Sequence, residues 1–355
     1  MTPLQRYQTL LAGGTPDHLP RVPLLMQFAA EHIGSNYAAF ASDHRVLVEA
    51  NLRCAKYFGI DQVSTISDPY RETSAFGGPV EFPADSTPHC TCYPLAHGRI
   101  LADLADPDPW LAPRTRDRID AISLYRQRSG DTYSILGWVE GPAAEAADLR
   151  GVSAFLVDLM DDPDFCTGLM ERCVHFALRF ARLQVEAGAD TIGIGDAIAS
   201  QVSPRVYTRL ILPHQQRLVA GLKAMGCKVR MHICGNITHI LPGLATLDLD
   251  LLDIDHMVDL SRARQVLGTR VALVGGIDPV AGVLNAEPDA IVTATQAAAL
   301  RAGGRYCVAG GCEIPPRTAP NRLLALCQPV ALRAPRSLSE IVTEYGEAPF
   351  RGMTS

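Results

Sequence analysis

Cys227-Lys228-Val229-Arg230-Met231-His232-Ile233-Cys234, closed by Gly235-Asn236, is the stretch from which the fold of this chain is read. Val229, Met231 and Ile233 alternate with Arg230, His232 and Cys234, the period-two pattern of a strand. Side chains at i and i+2 share a face, so His232 and Cys234 project together, an imidazole beside a thiol. Such a pair supplies half of a tetrahedral zinc site. The best candidate for the rest is Cys312, in Gly310-Gly311-Cys312-Glu313-Ile314-Pro315-Pro316. The competing reading, that His232 and Cys234 merely fill a core, is weakened by their place on the polar face with Arg230. Residue type alone also admits copper or iron.

Outward from this run, short β-rich segments alternate with longer helical patterns. The strand candidates are Arg21–Phe28, Asp61–Ser67, Thr132–Val139, Thr191–Ile194, Lys228–Cys234, Leu249–Ile254, Val271–Val274 and Arg305–Ala309. Helical spacing marks Phe155–Leu159, Phe165–Val185, Arg205–Met225 and Asp289–Ala302 between them. Eight such units predict an α/β fold, a single (β/α)8 barrel over residues 1–355. Residues 68–116, rich in Pro, Asp and Gly, break the rhythm and are expected to form a long lid after the second strand.

Composition narrows the class. The chain has 355 residues, a net charge of -6 and no basic block, which argues against nucleic acid as the main partner. No run of eighteen apolar residues occurs, so no membrane span is expected. No signal peptide is read in Met1–Leu19, and ten cysteines in such a chain point to a reducing cytoplasm. Cys54, Cys166, Cys173, Cys227, Cys307 and Cys327 sit among apolar neighbours as packing residues. Cys90 and Cys92 form a Cys-x-Cys, either a second metal site or exposed loop thiols.

Barrel chemistry gathers at the carboxyl ends of the strands. There the sequence places Asp68, Glu140, Asp196, His232-Ile233-Cys234, Asp255-His256, Gly275-Gly276-Ile277-Asp278-Pro279 and Cys312-Glu313. His232, Cys234 and Cys312 are the expected metal ligands, with Asp255 as a displaceable fourth and Glu140 as a second possibility for that place. Asp68, Asp196, Glu140 and Asp278 are candidates for catalysis or substrate contact; each is equally well a carboxylate paired with a nearby arginine. Tyr70 and Trp138 are candidates for an apolar pocket. His175, His214, His239 and His256 are read as lacking a metal role.

With these residues in place, the chain resembles the uroporphyrinogen decarboxylase superfamily along essentially its whole length. The resemblance is closest to the zinc-dependent cobalamin methyltransferases, with His-x-Cys followed by a Cys 78 positions after Cys234. Gly310–Pro316 and Gly275–Pro279 are similar to segments of that group. The resemblance implies Zn2+ bound by His232, Cys234 and Cys312, which activates a thiol. It also implies methyl transfer to or from a cobalamin carried by a separate corrinoid protein, since no Asp-x-His-x-x-Gly signature occurs here. A similar His-x-Cys…Glu…Cys set in cobalamin-independent methionine synthases has its glutamate after the sixth strand, which draws attention to Asp255. The methyl donor or acceptor is expected to be a thiol, tetrahydrofolate or a methylated small molecule. The alternative is a decarboxylase-type lyase on a tetrapyrrole. Asp68 matches the decarboxylase aspartate, but Gln27-Phe28-Ala29-Ala30-Glu31 replaces the arginine-rich segment that holds substrate carboxylates there.

Overall fold

The computed structural model describes residues 1–331; the remainder of the expected domain, 332–355, lies outside the described residues. Seven of the expected strands form one parallel sheet in chain order: β1 Gln62–Ser64, β2 Ser134–Glu140, β3 Thr191–Gly195, β4 Lys228–His232, β5 Leu251–Ile254, β6 Ala272–Gly275 and β7 Tyr306–Cys307. The expected alternation on β4 holds. Val229 and Met231 join the large apolar core, while Arg230 and His232 make polar contacts on the other face.

The first expected strand, Arg21–Phe28, is corrected. It contributes one parallel bridge, Arg21 to Val308, and the chain is helical from Gln27 to His32. Pro20 and Pro23 carry no N–H, so the ladder has few donors to extend it. What remains links both edges of the sheet. Asp61 N–H donates to Arg21 O at 2.8 Å, Val22 N–H to Val308 O at 2.8 Å, and Val308 N–H to Pro20 O at 2.8 Å. The sheet therefore curls until β1 and the segment after β7 flank the same short stretch.

Residues 68–116 contain the helix Arg71–Ala75, a hairpin of Val80–Glu81 with His89–Cys90, a 3-10 turn at Leu101–Asp103, and the start of the helix Pro113–Ser129. Irregular backbone leaves carbonyls that need donors. Arginines from the helical layer supply them: Arg150 to Leu95 O at 2.8 Å and Ala96 O at 3.0 Å, Arg172 to Leu104 O at 3.0 Å and Ala105 O at 3.1 Å. Among the described residues no helix is long and apolar enough to cross a membrane.

The amino-terminal helix Pro3–Leu11 opens with a capping box, Thr2 with Gln5. Its Arg6 pairs with Asp61, which is fully buried just before β1 and also accepts Arg21 N–H at 2.8 Å and Arg21 Nε at 3.1 Å. Removing that carboxylate leaves Arg21 with no carboxylate partner among the described residues and takes from Arg6 one of its two, the other being Asp17 at 2.7 Å. Asp61→Ala is expected to lower the free energy of unfolding by about 3–5 kcal/mol, read as a shifted urea midpoint. A change below about 1 kcal/mol contradicts this account.

Candidate functional site

β4 ends at His232, and Gly235 turns the chain away at φ 88°, a left-handed conformation that favours glycine. This leaves Cys234 beside His232, with Nε2 and Sγ 3.1 Å apart. The loop after β7 brings Cys312 Sγ to 3.7 Å from both His232 Nε2 and Cys234 Sγ. His232 is buried and both thiols are half-buried. The three donor atoms lie within 4.8 Å of one another.

The donor set fits zinc. Zn–S near 2.3 Å and Zn–N near 2.05 Å imply tetrahedral edges of about 3.8 Å for S···S and about 3.6 Å for N···S. The separations of 3.7, 3.7 and 3.1 Å approach these values. Three protein donors leave a fourth position open. Another three-residue grouping among the described residues, Asp43, His44 and Asp117, has a helix-capping explanation, because Asp43 accepts Arg45 N–H and Asp117 accepts His44 N–H. Cys90 and Cys92 join no such grouping among the described residues; Cys92 is exposed.

Behind the donors, His232 Nδ1 is 2.7 Å from Asp253 Oδ2 on β5. An N–H on Nδ1 leaves the Nε2 lone pair facing the sulfurs, the tautomer a metal ligand needs. Burial opposes a charged imidazole, but Asp253 and the two sulfurs outweigh it, and the proton affinity of His232 is raised. The Cys312 thiol is drawn down to about 4 by the hydrogen bond from Cys234, against burial and with help from His232, while that of Cys234 is pushed up by the same bond and by burial. One negative sulfur is thus already favoured here, and a bound cation would favour the second.

The remaining expected residues do not join the three-donor group and are engaged in other contacts. Asp255 is not in the three-donor group: its Oδ2 accepts Gly235 N–H at 2.9 Å, and its Oδ1 accepts Met257 N–H at 3.0 Å and faces His256 Nδ1 at 3.0 Å. Glu140 is level with Gly195 and His232 across β2, β3 and β4; it receives Arg71 at 2.6 Å and Trp138 Nε1 at 3.1 Å. Burial raises its proton affinity despite Arg71. Asp68 is clamped by Arg114 at 2.9 and 2.6 Å and by Ser67 Oγ at 2.7 Å; burial opposes its charge, but Arg114 prevails and holds its carboxyl well below the usual range. Asp196 receives Ala144 N–H at 2.8 Å and Gln215 at 2.7 Å, and burial pushes it up to about 6. Asp278 caps Val280 and Ala281, receiving their N–H groups at 2.8 and 2.9 Å.

Trp138 groups with Leu24 and Leu136, and with the half-buried Ile66, in an apolar cluster apart from the main core. Its indole lies against β3 where a Cβ at Gly193 would stand 2.3 Å from Cε3, so that position requires glycine. Asp253 and Glu313 stand in runs quoted above without a role assigned. Glu313 Oε2 is closed off from solvent and has no hydrogen-bond partner among the described residues; burial, and then Cys312, push its carboxyl up to about 7. Asp253 was readable from parity, because it precedes Asp255 by two on a strand whose end faces the site.

Two outcomes are expected. Asp253→Ala weakens zinc binding by about 10–100-fold in a chelator competition, and unchanged affinity would remove Asp253 from the site. Asp148, on the helix Pro142–Arg150, is pushed up to about 8 by burial and by Glu72. Its folded form holds a proton that its unfolded form releases near pH 4, so its contribution to stability is lost as pH rises from about 4 to about 8. Asp148→Asn is therefore expected to raise the melting temperature more at pH 8 than at pH 5; equal shifts would contradict this.

The chain is 30% identical over 183 residues to the methylcobamide:CoM methyltransferase MtbA of Methanosarcina mazei, covering 50% of this chain and 52% of that one. It is 29% identical over 211 residues to MtaA of Methanosarcina barkeri, covering 59% and 61%. The matches thus span only about half to three-fifths of those relatives. A solved methyltransferase from Methanosarcina mazei has the same fold, with a TM-score of 0.83 at 24% identity over 92% of this chain and 97% of that one. The family model for uroporphyrinogen decarboxylase (URO-D) matches residues 2–331, and the chain belongs to that family.

Proposed function

We propose that this protein is a zinc-dependent methyltransferase that moves a methyl group between a corrinoid carried by a separate protein and a small thiol or methylated substrate. The observation that carries this reading is the convergence of His232, Cys234 and Cys312 on one point. Likeness to the methylcobamide:CoM methyltransferases supports it. Zinc held there supplies the Lewis acidity that keeps a thiol ionised at neutral pH. Asp253 fixes the His232 tautomer, and Arg230 fixes Asp253 at 2.8 and 3.1 Å. Trp138, grouped with Leu24 and Leu136, has its ring 6.1 Å from that of His232, an apolar neighbour that strengthens polar interactions at the imidazole. Asp255 is placed by its hydrogen bonds to brace the turn at Gly235, so we assign it a positioning role.

The lyase alternative loses support at Asp68. A carboxylate clamped by Arg114 and Ser67 has few lone pairs left for pyrrole N–H groups. For the fold, we read the Arg21 bridge as the eighth station of a closed barrel, the chain as one domain, and residues 68–116 as a cover over its mouth.

The purified protein is expected to hold about one zinc per chain and to transfer methyl from methylcobalamin to a thiol, with Cys312→Ser losing both properties. Zinc below about a tenth of an equivalent, or full transfer by Cys312→Ser, overturns the reading. Decarboxylation of uroporphyrinogen by metal-free protein favours the lyase instead.

A further inference from the structure

Two of the three donors are thiols in contact. Cys234 Sγ and Cys312 Sγ stand 3.7 Å apart. Both are half-buried, whereas seven of the other eight cysteines are buried and Cys92 is exposed. Access for a small oxidant and a second sulfur at hand therefore coincide at this pair. A disulfide holds its sulfurs at about 2.05 Å, so each side chain has to move by under about 1 Å to form one.

The backbone presents the two side chains to each other. Cys234 stands beyond His232, the last residue of β4, and Cys312 stands in the loop after β7, so neither is tied into the ladder. The peptides beside them are held in place. Gly235 N–H donates to Asp255 Oδ2 at 2.9 Å, and Gly311 N–H donates to Ile277 O at 2.7 Å. A Cβ at Gly311 would stand 2.8 Å from His256 N, so the close approach of that loop requires glycine. Two segments 78 positions apart are thus fixed against each other, and rotation of the side chains is what closes the remaining gap.

We propose that Cys234 and Cys312 form a redox switch: a peroxide oxidises them to a disulfide, which empties the metal position, and a dithiol restores the site. Its bearing on methyl transfer rests on the methyltransferase reading; the bridge itself does not. One sulfur attacks the peroxide O–O bond and becomes a sulfenic acid as a first water leaves. The second sulfur attacks that sulfenic acid, the S–S bond forms, and its hydroxyl leaves as a second water. The two sulfurs give up two electrons and the peroxide takes them. In metal-free protein the two thiol protons complete the waters; in the zinc form solvent supplies them and the cation is released. A thiol in contact captures the sulfenic acid before it advances to sulfinic acid, which ordinary thiols cannot reduce. His232 Nδ1 keeps Asp253 Oδ2 at 2.7 Å throughout, so the third donor stays oriented for the metal's return.

The test treats the full-length protein, zinc-free and zinc-loaded, with one equivalent of hydrogen peroxide. Thiols are counted after denaturation, the bridge is located by mass spectrometry of an unreduced digest, and zinc is followed with a chromophoric chelator. The expected result is loss of two of the ten thiols, one cross-link joining the peptides of Cys234 and Cys312, and release of zinc in step with it. Dithiothreitol is expected to return all ten thiols and full zinc binding. Cys312→Ser is expected to lose the cross-link and to carry sulfinic acid at Cys234, while Cys92→Ser keeps the cross-link at a yield within twofold of wild type. Sulfinic acid in the wild type without a cross-link, a bridge between Cys90 and Cys92 in its place, or zinc release ahead of thiol loss overturns the switch. A Cys234–Cys312 bridge in a protein that binds no zinc upholds the redox pair and removes the methyltransferase reading. Zinc binding without a bridge does the reverse.

Discussion

A single guanidinium holds the inner face of the sheet together. Arg230 on β4 is almost wholly buried, and it donates to Asp253 on β5, to Gln62 on β1 at 2.8 Å and to Val22 O at 3.2 Å. Burying such a charge costs several kcal/mol unless its donors are matched, and here they are matched from three separate parts of the chain. Asp253 also accepts from His232, so the carboxylate that neutralises Arg230 orients the metal-facing imidazole. Sheet closure and site geometry therefore share one side chain.

The same logic explains why so many acids at this end differ in character. Asp68 and Glu140 are each held by an arginine, yet their proton affinities move in opposite directions. Asp68 has a two-pronged clamp from Arg114, whereas Glu140 lies near Glu72 and Asp148 with Arg71 as its one close cation. Family membership does not choose between decarboxylation and methyl transfer, because sites are grafted onto folds. The chemistry has to come from the groups gathered at one point, and those are two thiols and an imidazole nitrogen.

Much of this was legible in the sequence because β-strand parity is strict. A period of two places His232 and Cys234 on one face and sends Val229 and Met231 to the core, with no knowledge of tertiary structure. Other strands show instead as short β-rich runs without alternation, because a parallel sheet covered on both faces buries every residue. The segment at Arg21 misled because Leu24, Leu25 and Phe28 are apolar at any spacing; Pro20 and Pro23 limit its pairing, and the run from Gln27 satisfies its backbone as a helix. Partners of acids are harder still. Nothing near Asp68 in sequence announces Arg114, forty-six positions on, and Asp255 resembles a ligand until its backbone donors are seen. Side-chain pairing between distant strands is settled by geometry that no local pattern carries.

The meeting of Cys234 and Cys312 measures that geometry. β4 and β7 are separated in the sheet by β5 and β6. Three strand spacings across a flat sheet amount to about 14 Å, too far for two side chains to share an ion. Their sulfurs stand 3.7 Å apart because the sheet curls and the loop after β7 folds inward, held by Gly311 N–H to Ile277 O and Ile314 N–H to Leu24 O. The bridge at Arg21 and the donor cluster are thus two readings of one curvature. Anything that relaxed the curl, such as loss of the Arg230 pairing, would part the sulfurs before it unfolded the helices around them.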